Sequence, residues 1–101
     1  MTAAELESLR RALLRKGSDL AEKLAALMAG KHVQVDALGP TKPGETPIEK
    51  LRRYLALVDS KIKAIAAGTY GHCDRCHAEI PYVELEQMPW ADRCTACAAA
   101  G

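Results

Sequence analysis

The sequence predicts a mainly α chain, an antiparallel two-helix coiled-coil hairpin followed by a small four-cysteine module. Three observations predict it. Leu6, Leu9, Leu13, Leu20, Leu24 and Leu27 form a heptad stripe with one rung missing. Ile48, Leu51, Leu55, Val58, Ile62 and Ile65 form a second stripe at three-four spacing without a fault. Beyond the stripes stand Cys73, Cys76, Cys94 and Cys97, two C-x-x-C pairs separated by seventeen residues.

The first helix is predicted over about Ala3 to Met28, with Gly30 as its stop signal. Its missing rung falls at Lys16 or Gly17. A mid-helix Gly costs about 1 kcal/mol relative to Ala, so a bend or restart is expected near Gly17-Ser18-Asp19. From Gly30 to Glu45 the chain loses periodicity and gathers Gly39, Pro40, Pro43 and Gly44. A connection of this length has two readings, a functional tip or a flexible linker. The second helix has the clearest bounds, Pro47 to Ala67. Thr46 is its N-cap, Pro47 fills the first helical position, Glu49 completes a capping box, and Gly68 ends it. Neither stripe is buried by one helix alone, so the two zip together. The hairpin unit is residues 1–68, its tip loop 30–45, and the cysteine module is residues 69–101. With 101 residues, three Tyr, one Trp and no Phe, an aliphatic helix seam suits the composition better than a globular interior.

Two C-x-x-C pairs at this separation have the spacing of a four-thiolate zinc site. Each pair offers two sulfurs from one tight turn, and Cys94-Thr95-Ala96-Cys97 is expected to repeat the geometry of Cys73-Asp74-Arg75-Cys76. Ile80, Val83, Leu85, Met88 and Trp90 supply too few apolar contacts to fold the module unaided. One Zn²⁺ bound by Cys73, Cys76, Cys94 and Cys97 is therefore its structural element, and four thiolates leave no position for an activated water. Iron fits the same donors, since ligand softness does not separate the two metals. Cys73 to His77 also spell C-x-x-C-H, a haem-attachment pattern, but that reading leaves Cys94 and Cys97 unexplained. His72 and His77 read as exposed turn residues. Trp90 reads either as packing over the metal turns or as an exposed anchor for a partner.

The second helix leading into Gly68-Thr69-Tyr70-Gly71, all four cysteines, Ile80, and the Leu85 to Pro89 element together make the chain resemble the DksA/TraR family of C4 zinc-finger proteins. The resemblance covers roughly Leu51 to Cys97. It implies a non-enzymatic transcription regulator that binds RNA polymerase, inserts a helical hairpin into the secondary channel, and makes no specific DNA contact. The family's best-known members carry a D-x-x-D-x-A pair of aspartates at the tip. Here Asp36 is followed by Ala37 and Leu38, with Glu45 at the far edge, so no tip function carries over. His77 stands where the family usually has Gly. Glu84 and Met88 stand where basic residues are common, which argues against a guanosine tetraphosphate site. The alternative reading is a zinc-finger adaptor docking a different protein, without secondary-channel activity.

Charge narrows the function classes further. A formal net charge of +1 is too small an excess for nonspecific nucleic-acid binding. From Thr69 onward, Arg75 and Arg93 face Asp74, Glu79, Glu84, Glu86 and Asp92, which makes the module a poor DNA reader. No signal peptide or membrane span is visible, so the expected location is the cytoplasm, where thiols stay reduced and available to metal. The expected protein is a monomer. No phosphate-binding Gly loop or Ser-His-Asp set suggests an enzyme.

Overall fold

The computed structural model describes residues 1–35 and 38–99, so Asp36 and Ala37, the sequence's candidate tip residues, lie outside the described residues. Helix α1 runs from Ala3 to Met28 and α2 from Pro47 to Ala67, followed by the short α3 (Tyr82–Gln87) and α4 (Thr95–Ala99). Both long helices open on the same device. Thr46 accepts from the Glu49 amide while Glu49 reaches back to the Thr46 amide, and Thr2 with Glu5 repeats this reciprocal pair at α1. The Thr-x-x-Glu signal at Thr2 was present in the sequence and is as plain as the one at Thr46. At the other end of α2, Gly68 takes the left-handed conformation (φ 77°) and the Thr69 amide closes on the Ala64 carbonyl at 2.9 Å.

The helices pack antiparallel along the predicted stripes. Leu9, Leu13, Leu20, Leu51 and Val58 are fully buried, and Leu6, Leu24, Leu27, Leu55, Ile62 and Ile65 pack against them. The expected break at Gly17 does not occur, and α1 is continuous through it. Gly17 lies on the seam, where a Cβ would stand 3.6 Å from Val58 Cγ1, an ordinary contact distance. Tertiary packing thus holds a helical turn that propensity alone leaves weak.

Part of the connection from Gly30 to Glu45 packs onto the hairpin. Val35 and Leu38 are buried in the core. Gly39 lies so close to Tyr54 that a Cβ there would come within 2.3 Å of the phenol oxygen, and its φ of 139° is one that L-residues rarely adopt. Arg53 holds the loop from the helix side. It grips Glu45 with two bonds (Nε to Oε2 2.7 Å, an NH2 nitrogen to Oε1 2.9 Å), and that same NH2 nitrogen donates to the Pro40 carbonyl at 2.9 Å. Lys50, only 1% exposed, donates to Thr41 Oγ1 at 2.8 Å. Within residues 30–45, Leu38, Gly39, Pro40, Thr41 and Glu45 are thus packed against or bonded to the hairpin, while Lys42, Pro43 and Gly44 are exposed.

The Arg53–Glu45 clamp predicts a pH response. Hydrogen bonding to Arg53 brings the Glu45 carboxyl from 4.5 down to about 2. A depressed carboxylate contributes stability above its unfolded value and loses it as pH falls toward the folded one. Loop anchoring should be intact at pH 5 and decline between about 4.5 and 2. Carbon-detected titration of Glu45 is the measurement; a midpoint near 4.5 would contradict the clamp.

The segment after α2 returns along the side of the hairpin. The Lys61 ammonium pairs with Asp92, and the Met1 amino group pairs with Glu79 at 2.9 Å. Trp90 stands edge-on to Tyr54, with centroids 6.5 Å apart at 87°, and the Lys16 ammonium lies 5.3 Å from its ring centroid. Trp90 is half-buried, with Tyr54 and Lys16 of the hairpin against its ring. The whole molecule measures 42 × 30 × 20 Å.

Candidate metal centre

The first cysteine pair sits in a tight backbone hairpin. Gly71 accepts from the Ile80 amide at 2.7 Å, Ala78 accepts from the Cys73 amide at 2.9 Å, and Cys73 accepts from the His77 amide at 2.9 Å. His72 and Glu79 form an antiparallel bridge across it. Inside this turn the Cys76 amide points at Cys73 Sγ from 3.5 Å. Tyr70 seats the turn, donating its hydroxyl to the Pro89 carbonyl at 2.8 Å; burial raises that hydroxyl's pKa to about 12 and keeps it a donor.

The second pair is built differently. Cys94 directly precedes α4 and Cys97 lies within it, with the Ala98 amide bonded to the Cys94 carbonyl at 2.9 Å. Glu84 on α3 caps this helix, accepting from the Thr95 amide at 2.9 Å and from the Thr95 hydroxyl. Cys94 to Cys97 thus repeats one bond of the first turn, the amide four residues on donating to the first cysteine's carbonyl (His77 to Cys73, Ala98 to Cys94), but sets it in a helix rather than a turn. The physical reason is that cap: Glu84 takes the Thr95 amide at a helix start, whereas its counterpart in the first pair, the Asp74 amide, goes to the Asp92 carbonyl. Glu84 was legible in the sequence only as a missing basic residue; its role depends on α3 lying beside α4.

The two halves are stitched together. Asp74 receives the Arg93 guanidinium at 3.0 Å and donates its amide to the Asp92 carbonyl at 2.8 Å. As a result the four sulfurs converge within 4.8 Å of one another, with Cys76 and Cys94 Sγ 3.9 Å apart. A tetrahedron with Zn–S bonds of about 2.3 Å needs sulfurs about 3.8 Å apart, so the donor set fits one structural Zn²⁺. Among the described residues, this is the one group of His, Cys, Asp and Glu side chains whose ligand atoms converge in this way. None of the four cysteines is in a disulfide. His72 and His77 are exposed, as the sequence predicts.

The site's electrostatics also ask for a cation. The Cys76 amide, aided by those of Cys94 and Arg75, pulls the Cys73 thiol down to about 6. Crowding by the Cys94, Cys73 and Cys76 thiols pushes Cys97 up to about 12. Backbone amides thus favour a thiolate at Cys73 while the crowded thiols disfavour one at Cys97, and a bound divalent ion would offset the mutual repulsion of four thiolates.

The turn carries one strained residue. His77 has φ 63°, in the left-handed region where a side chain costs about 1–2 kcal/mol and glycine is free of that penalty. Offsetting glycine's greater unfolded-state entropy, His77→Gly is expected to stabilise the module by about 0.5–1 kcal/mol. His77→Val, β-branched, is expected to destabilise it. Thermal unfolding of the zinc-loaded variants followed by Trp90 fluorescence checks both signs.

Comparison with known proteins agrees with this geometry. Residues 68–100 match the family described as the prokaryotic dksA/traR C4-type zinc finger. An uncharacterized protein of Aquifex aeolicus (strain VF5) is 44% identical over 41 residues, 41% of this chain, and the match spans only 28% of that relative. Transcription factor DksA2 from Pseudomonas aeruginosa has a similar fold, with a TM-score of 0.77 at 19% identity over 99% of this chain and 84% of its own. The RNA polymerase binding protein and transcriptional regulator Dks from Chlamydia trachomatis L2 is similar at TM-score 0.65 and 20% identity, over 99% of this chain and 90% of its own. The DnaK suppressor protein from Agrobacterium tumefaciens C58 is similar at TM-score 0.65 and 23% identity, over 94% and 92%. At these identities the likeness is one of fold.

Proposed function

We propose, from the premise that residues 68–100 are a DksA/TraR C4-type zinc finger, that this chain is a non-enzymatic transcription regulator that binds RNA polymerase. In this reading Cys73, Cys76, Cys94 and Cys97 are the ligands of one Zn²⁺. The bound ion closes the finger (69–101) beside the hairpin (1–68), and the protein works as a cytoplasmic monomer. The observation that carries the proposal is the combination of parts. A family finger is joined to an antiparallel hairpin, and nearly the whole chain superposes on DksA folds. One of those neighbours is itself described as an RNA polymerase binding protein.

Charge supports protein rather than DNA as the target. The finger's acidic side chains outnumber its basic ones, and zinc with four thiolates adds about two further negative charges. In the described chain no helix is long and apolar enough to cross a membrane. The test is co-elution of the zinc-loaded protein with core RNA polymerase, followed by transcription in vitro from several promoters. The expected result is a stable complex and altered initiation at some of them. Failure of both would end this reading.

One observation favours a second reading, an adaptor that docks a partner without working through its tip. The loop is anchored at both ends of 38–45, with Leu38 buried and Glu45 clamped by Arg53. The two readings separate in one experiment. A regulator acting through the tip loses its transcriptional effect when residues 38–45 are replaced by a Gly-Ser linker, whereas an adaptor keeps its partner.

A further inference from the structure

One column of side chains runs from the loop through the hairpin to the finger. On the loop side, Gly39 sits against the Tyr54 phenol and Arg53 lies over the Tyr54 ring at 4.6 Å while gripping Glu45 and the Pro40 carbonyl. On the finger side, the other end of the column is Trp90, edge-on to the same Tyr54 ring, with Lys16 of α1 over its indole. Tyr54 is only 5% exposed and touches both partners from the middle of α2.

Trp90 is not free to stay there by itself. Its neighbour Pro89 accepts the Tyr70 hydroxyl, and Asp92, two residues on, accepts the Asp74 amide from inside the first cysteine turn. The Trp90 segment is therefore part of the finger's own fold. Opening the four-sulfur cluster removes the Asp74 anchor and leaves the Lys61–Asp92 pair as the segment's remaining tie to α2.

We infer that the finger and the loop 38–45 are energetically coupled through the Trp90–Tyr54 contact, so that the metal-closed finger holds the loop in its docked conformation. Tyr54 is the shared element, and an equilibrium biased from two sites is biased equally in both directions. Loss of the finger removes one face of the Tyr54 packing and loosens Gly39, Pro40 and Glu45. Loss of the loop's docking removes the other face and weakens the finger's hold on its metal. This inference concerns only the chain's internal contacts and stands or falls independently of the polymerase reading.

The experiment is amide hydrogen exchange between Leu38 and Glu45 in the full chain loaded with one Zn²⁺, compared with the same chain after chelation and with Trp90→Ala. An aromatic edge contact of this kind corresponds to about a three- to tenfold change in protection. Chelation and Trp90→Ala should each speed loop exchange by on the order of that factor, while the Leu13 and Leu20 amides stay protected. The reciprocal arm uses Gly39→Ala, which lies outside the finger. Zinc competition against a chromogenic chelator should show weaker retention by a comparable factor. That arm reads the coupling even if Trp90→Ala fails to load zinc. Loop exchange unchanged on chelation, or zinc retention unchanged in Gly39→Ala, overturns the inference.

Discussion

Cys94→Ala is expected to abolish the folded finger while leaving most of the helical signal. Cys94 joins the two halves of the quartet, 3.9 Å from Cys76, and it also precedes the helix whose start Glu84 caps. Structural zinc sites in small modules supply about 10–16 kcal/mol, on the order of the whole stability of a typical domain. The finger's own buried apolar side chains, Ile80 and Leu85 with Tyr70 at its edge, cannot replace that. The helical circular dichroism should nevertheless persist, because α1 and α2 hold 26 and 21 residues against 6 and 5 in α3 and α4. Three readouts belong together: zinc per chain by elemental analysis, the rate of zinc release to a chelator, and far-ultraviolet dichroism. Wild-type resistance to the chelator in this variant would remove Cys94 from the ligand set.

Adjacent leucines on α1 give the second large effect. Leu13 is fully enclosed by the seam, whereas Leu14 is 44% exposed beside it. Leu13→Ala should cost about 3–5 kcal/mol, the transfer energy of the lost atoms together with that of the cavity left behind. Leu14→Ala should cost under about 1 kcal/mol. Chemical denaturation of both variants measures the difference directly. Equal losses would mean that the seam does not run where the stripe places it. A chain this small has a total stability of about 5–15 kcal/mol, so Leu13→Ala removes a large share of it.

Much of the candidate site was legible because its signals are short. A C-x-x-C turn brings two sulfurs together within four residues, and seventeen residues suffice to bring back the second pair. What the sequence obscured was the difference between the pairs. That difference comes from Glu84 meeting Thr95 across eleven positions of chain, a contact no spacing rule contains.

The same division runs through the whole molecule. Helix ends, the two apolar stripes, the left-handed stop at Gly68 and the metal-binding turns were determined by the sequence itself. Each depends on residues within a turn or two of one another, where propensity, capping and chelation act locally. Only the tertiary structure decided the continuity of α1 through Gly17, the docking of residues 38–45 and the seat of Trp90. The first depends on the seam at Val58, and the other two on a second face of α2, formed by Lys50, Tyr54, Leu57 and Lys61 at helical spacing. That face mixes charge with apolar surface, so no hydrophobic pattern advertises it. It becomes a core surface only when Thr41, Gly39, Trp90 and Asp92 arrive from distant parts of the chain to satisfy its polar tips and cover its rings.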